Sequence, residues 1–161
     1  MIRKLINVGI ADLHVALAPD VLRTVLGSCV GICLYDAQKK IGGLSHIMLP
    51  SNSGRTPHPL KYADTAIPLL MKKMAERGVS GKMLRAKVVG GAKMFRVAEE
   101  SLLGEIGKNN VTVVKEMLNK LGIGIVAEDT GGDHGRTVDF YLDTGEVRVK
   151  TLAAEWIEKY I

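Results

Sequence analysis

"VGICLYDAQKKIGGLSHIML", residues 30–49, sets two apolar runs on either side of a short polar segment. The flanks are rich in β-branched and aliphatic residues, and "DAQKK" at 36–40 has the composition and length of a tight turn. Strands joined by so short a turn must be antiparallel, because a parallel partner needs a long crossover. A second such turn, "DTGE" at 143–146, separates "TVDFYLD" from "EVRVKTL". Further strand-like runs are "VLRTVL", "LRAKVVGG" and "GIGIVAED".

Two segments have helical periodicity instead. The first, over roughly 62–77, sets Ala66, Ile67, Leu70, Met71 and Met74 on one face and stops at Gly78. Proline is tolerated only in a first turn, so Pro68 moves the expected start toward Thr65. The second follows Asn109 or Asn110 as cap, turns Val114, Met117, Leu118 and Leu121 inward, and ends at Gly122. The expected fold class is therefore α/β, with mixed or antiparallel β-sheet layers and flanking helices rather than a doubly wound parallel sheet.

The chain has 161 residues and no internal repeat, linker or low-complexity tract, which fits one domain over 1–161. The Ser/Gly/Pro-rich "PSNSGRTPHP" is a single surface loop. Charge is +5, from 22 Lys and Arg against 17 Asp and Glu, but the two signs are interspersed and aromatic residues make up only 4%, which disfavours nucleic-acid binding. Asp12 and His14 interrupt what would have to be the apolar core of an N-terminal leader. No apolar stretch approaches the roughly 20 residues of a spanning helix, so a cytoplasmic protein without membrane insertion is expected.

The two cysteines, Cys29 and Cys33, are four residues apart, a separation of about 13 Å along an extended strand, far beyond disulfide reach. Reduced thiols follow, and the question is whether either reacts. Register decides what Cys29 meets. If paired positions of the hairpin add to 75, Cys29 lies opposite His46; if they add to 77, His46 is diagonal to it on the same face; a sum of 76 puts them on opposite faces. A neighbouring histidine would favour the Cys29 thiolate as an ion pair and supply a proton shuttle. The alternative is a structural strand histidine, and pairing geometry does not separate the two. A zinc site from Cys29, Cys33 and His46 is disfavoured, since a straight strand spreads the thiols too widely and no fourth ligand is evident. Cys33, between Ile32 and Leu34, reads as core.

The glycine-rich "VVGGAKMF" and "DTGGDHGR" match no nucleotide-binding spacing and read as loops that shape a cleft. Asp133 and His134 read as exposed loop residues, and His14 and His58 carry no assignment. As cleft-rim candidates, Phe95 could pack on a partner helix, while Lys93, Arg55 and Arg136 could steer an acidic partner.

In order along the chain, "LGSCVGICLYD", "GGLSHIMLP", "KYADTAIPLL", "KVVGGAKMF", "IGKNN" and "DTGGDHGRTVDFYLDTGEVRVK" resemble the CheD family of chemoreceptor glutamine deamidases, over most of 24–150. The resemblance implies an α/β fold related to the deamidase domain of cytotoxic necrotizing factor toxins. It implies a protein-glutamine glutaminase that converts receptor glutamines to glutamate through a Cys-His thioester mechanism, without cofactor or metal. The family nucleophile falls on Cys29, the histidine on His46 and the threonine on Thr24, whose hydroxyl would accept the second ring N–H of His46. The tight turn at Gly27 would aim the N–H groups of Ser28 and Cys29 at the oxyanion. Implied partners are chemoreceptors and the phosphatase CheC. The competing reading is a chemotaxis adaptor that binds both with little catalysis.

Overall fold

The computed structural model describes residues 2–54, 57–94, 105–153 and 155–161. Among these residues ten strands are formed: β1 (Leu5–Asn7), β2 (Asp12–Leu17), β3 (Val21–Leu26), β4 (Val30–Asp36), β5 (Ile41–Ile47), β6 (Arg85–Gly90), β7 (Gly124–Thr130), β8 (Arg136–Tyr141), β9 (Val147–Leu152) and β10 (Trp156–Tyr160). The helices are α1 (Ala63–Glu76) and α2 (Ile106–Lys120). The strands make two five-stranded sheets, ordered β1-β3-β8-β9-β10 and β2-β5-β4-β6-β7. Both are mixed, because β1 runs parallel to β3 and β6 parallel to β7 while every other pairing is antiparallel.

The layers follow from which faces are apolar. In β4, Val30, Ile32 and Leu34 pack with Ile67, Leu70, Met74, Val114 and Leu118 of the helices. Cys33, on the opposite face, packs with Leu22, Val138 and Phe140 of the other sheet. The second sheet is thus buried on both faces, which is why its central strand reads as a continuous apolar run rather than an alternating one. The order of layers is helices, second sheet, first sheet. Each of Ile67, Leu70 and Met74 is fully buried and stabilises the helix layer by roughly 1.5–3 kcal/mol. Gly43 of β5 lets α1 come close: a Cβ there would stand 2.7 Å from Leu70 Cδ1.

Both helix starts differ from the sequence-based reading. α1 begins at Ala63, so the exposed Pro68 lies in its second turn, where no N–H is offered to the Asp64 carbonyl. Tertiary contact sets that start, since Asp64 Oδ1 accepts from Asn52 N at 3.0 Å and Oδ2 from Ser51 Oγ at 2.9 Å. α2 begins at Ile106, so Asn109 and Asn110 are inside it and neither caps it. The stops do lie at Gly78 and Gly122, where the following amides of Val79 and Ile123 reach back to Met74 O at 3.1 Å and Leu118 O at 2.9 Å.

Candidate active site

The hairpin adopts the register whose positions add to 77: Asp36 pairs with Ile41, Cys33 with Leu44 and Gly31 with His46. Cys29 lies in the bend just before β4, one residue outside the paired register, half-buried and packed against the cluster between the sheets. Gly31, directly across from His46, puts no side chain beside the ring on that flank. His46 itself is 2% exposed and belongs to the face that meets the first sheet.

Thr24 comes from that first sheet. In β3 the buried residues Leu22, Thr24 and Leu26 alternate with the less buried Arg23 and Val25, so the hydroxyl of Thr24 points between the layers. Its Oγ1 is 2.7 Å from His46 Nδ1 and also 2.7 Å from the Val8 carbonyl. A hydroxyl has one proton, and a carbonyl can only accept, so Thr24 donates to Val8 and accepts from His46 Nδ1–H. That assigns the tautomer: Nε2 carries the lone pair. Nε2 is buried and has no hydrogen-bond partner among the described residues.

Electrostatics here depart from the ion-pair expectation. Burial pushes the Cys29 thiol up, opposed by its own backbone amide. Burial holds the His46 imidazole below its ordinary value, opposed by the Val8 carbonyl. Both groups therefore rest neutral, and among the described residues no thiol–imidazole hydrogen bond compensates for burying two charges. A neutral thiol and a neutral acceptor nitrogen suit general-base chemistry rather than a preformed thiolate–imidazolium pair.

Cys33 is 2% exposed in the core between the sheets, its thiol pushed up to about 12 by burial. Gly27 and Ser28 form the bend with Cys29. Gly27 does not have a left-handed φ; the space it leaves is occupied by Met94, whose Cγ would be 3.2 Å from a Cβ. Three donors hold this bend: Ala92 N to Gly27 O at 3.0 Å, Asn110 Nδ2 to Ser28 O at 3.0 Å, and Gly91 N to Cys29 O at 2.9 Å. Asn110, read from sequence only as a possible helix cap, carries one mark of its buried place: it stands four residues before Val114 on the buried stripe of α2.

The other candidates separate. Arg136 is not a surface steering charge: it is 7% exposed, 3.3 Å from Asp129 and donating to Gly131 O at 2.9 Å. Lys93 is exposed and lines a cavity of about 360 Å³ with Gly91, Lys108 and Gly131. His134 Nδ1 lies 2.6 Å from Asp133 Oδ1 in an open loop. Arg55 and Phe95 lie outside the described residues.

Such a site equips a layered α/β protein for thiol-based acyl transfer, the class of amide hydrolases that pass through a thioester. The family described as "CheD chemotactic sensory transduction" matches residues 48–151. The "Probable chemoreceptor glutamine deamidase CheD" of Clostridium novyi (strain NT) is 49% identical over 150 residues, covering 91% of this chain and 93% of that protein. The protein of the same description from Clostridium botulinum (strain Hall) is 50% identical over 152 residues, 92% of this chain and 94% of its own length. The chain belongs to the CheD family.

Proposed function

We propose that this chain is a chemoreceptor glutamine deamidase, hydrolysing the side-chain amide of receptor glutamines to glutamate and ammonia. The observation that carries the reading is the Thr24–His46 bond, which spends the Nδ1 proton and leaves Nε2 as a base in the layer between the sheets, against which Cys29 also packs. As Cys29 Sγ attacks the amide carbon, Nε2 takes the thiol proton, the C–S bond forms and the carbonyl electrons move to oxygen. Collapse of this oxyanion breaks the C–N bond, and the imidazolium gives its proton to the departing nitrogen, releasing ammonia. Water then attacks the thioester with its proton passing to Nε2. The C–S bond breaks, the proton returns to sulfur, and a glutamate side chain is left. Ser28 and Cys29 N–H are the donors we assign to the oxyanion, and no cofactor or metal takes part.

Partners of this reading are chemoreceptors, the substrates in the relatives' descriptions, with CheC as the second partner that the resemblance implies. Kinship with the deamidase domain of cytotoxic necrotizing factor toxins and a cytoplasmic location belong to the same reading; among the described residues no helix is long and apolar enough to cross a membrane. The test is to incubate the protein with a purified cytoplasmic chemoreceptor fragment and follow glutamine sites by peptide mass spectrometry. Conversion of some glutamines to glutamate with matching ammonia release is expected. Binding without conversion would establish the adaptor reading instead.

A further inference from the structure

α2 buries Gly107, Asn110, Val114 and Leu118, and Asn110 is the polar member of that stripe, 0% exposed. A leucine of similar size would fill the place without desolvating an amide, so a polar side chain there calls for a use. Nδ2 donates to Ser28 O at 3.0 Å and to Met48 O at 2.9 Å, while Oδ1 is buried without a partner among the described residues. The opposite orientation would set Oδ1 against two carbonyl oxygens. One amide group therefore ties the residue before Cys29 to the segment that follows His46.

The bond to Ser28 has a directional consequence. In a trans peptide the C=O and the next N–H point opposite ways. With Ser28 O drawn toward α2, Cys29 N–H is turned away from the helix. Gly27 O and Cys29 O are held by Ala92 N and Gly91 N, so the bend cannot rotate freely on either side. Neither Ser28 nor Cys29 N–H donates to a backbone carbonyl among the described residues.

We infer that Asn110 is a positioning residue for the deamidation, fixing the Ser28–Cys29 peptide so that Cys29 N–H receives the oxyanion formed when Sγ attacks. This rests on the reading of Cys29 as nucleophile given above. The role divides two kinds of chemistry at one sulfur. Alkylation by iodoacetamide is a displacement at carbon that develops no oxyanion, whereas amide hydrolysis does.

Asn110→Leu and Asn110→Asp, the second keeping shape but not donors, are compared with the wild-type protein. Three readings are taken on each: thermal unfolding, the rate of Cys29 alkylation against pH, and kcat and KM for ammonia release from a chemoreceptor fragment. Expected in a variant that melts cooperatively are an alkylation profile within about twofold of wild type, an unchanged KM, and a kcat lower by about 10- to 100-fold. A kcat within about twofold of wild type overturns the inference, as does a parallel fall of alkylation and kcat, or failure of both variants to fold, since the amide would then serve only the fold. Wild-type protein that releases no ammonia would instead defeat the deamidase reading itself, which is a separate outcome.

Discussion

Thr24 has one hydroxyl proton, and the Val8 carbonyl takes it, so the threonine can act on His46 only as an acceptor. Thr24→Val keeps the shape and removes that acceptor, and kcat for ammonia release is expected to fall at least about tenfold, with Thr24→Ser keeping most of it. Equal rates for all three proteins would leave the hydroxyl as packing alone. A second expectation concerns the thiol itself. With burial holding the Cys29 thiol above its ordinary value of 9.0 and the imidazole below 6.5, iodoacetamide alkylation of Cys29 should keep rising past the free-thiol range. A reactive plateau near neutral pH would restore the thiolate–imidazolium pair. The meeting of Thr24 with His46 was legible from sequence through family resemblance, whereas the charge states of Cys29 and His46 were not, because burial arises only when two sheets close over them. Asn110 was misread as a cap, since asparagine favours helix N-termini. Its bonds to Ser28 and Met48 are contacts across 82 and 62 residues, which no local pattern reveals.

Among elements, α1 carries a proline one turn too deep. Pro68 is exposed and makes no packing contribution that offsets the missing bond to Asp64. Pro68→Ala is expected to raise the free energy of unfolding in denaturant by about 1–3 kcal/mol, and a stability equal to or below wild type would contradict this. Seven of the strands were legible as β-branched or alternating runs, and the antiparallel hairpins followed from turn length. Three were not. β1 is only Leu5–Asn7, too short to show a period. β2, with the pattern buried at Leu13, Val15 and Ala16, lies in a stretch that polar Asp12 and His14 made unremarkable. β10 is exposed at every residue, so nothing in its sequence marks an inner face. The parallel pairings of β1 with β3 and β6 with β7 are products of tertiary assembly, decided by chain crossings rather than by turns.

Over the whole molecule, the layer between the sheets is both the core and the housing of the site, since Leu22, Leu44, Val138 and Phe140 share it with His46 and Thr24. This couples stability to protonation. The folded state holds His46 below 6.5, so as pH falls through that value the unfolded chain binds a proton that the folded one refuses. Stability from this group is present above 6.5 and is lost as pH falls from there toward the lowered folded value. Chemical denaturation of wild type and His46→Gln between about pH 7.5 and 5.5 should show a steeper loss for wild type, and parallel curves would mean that the imidazole is not held neutral. Of the two cysteines, Cys29 alone is assigned as the nucleophile. That assignment is tested most directly by ammonia release from a chemoreceptor fragment with Cys29→Ala and Cys33→Ala. No release above background is expected for the first and near wild-type release for the second; activity retained in Cys29→Ala, or lost equally in both, would rule out Cys29 as the nucleophile.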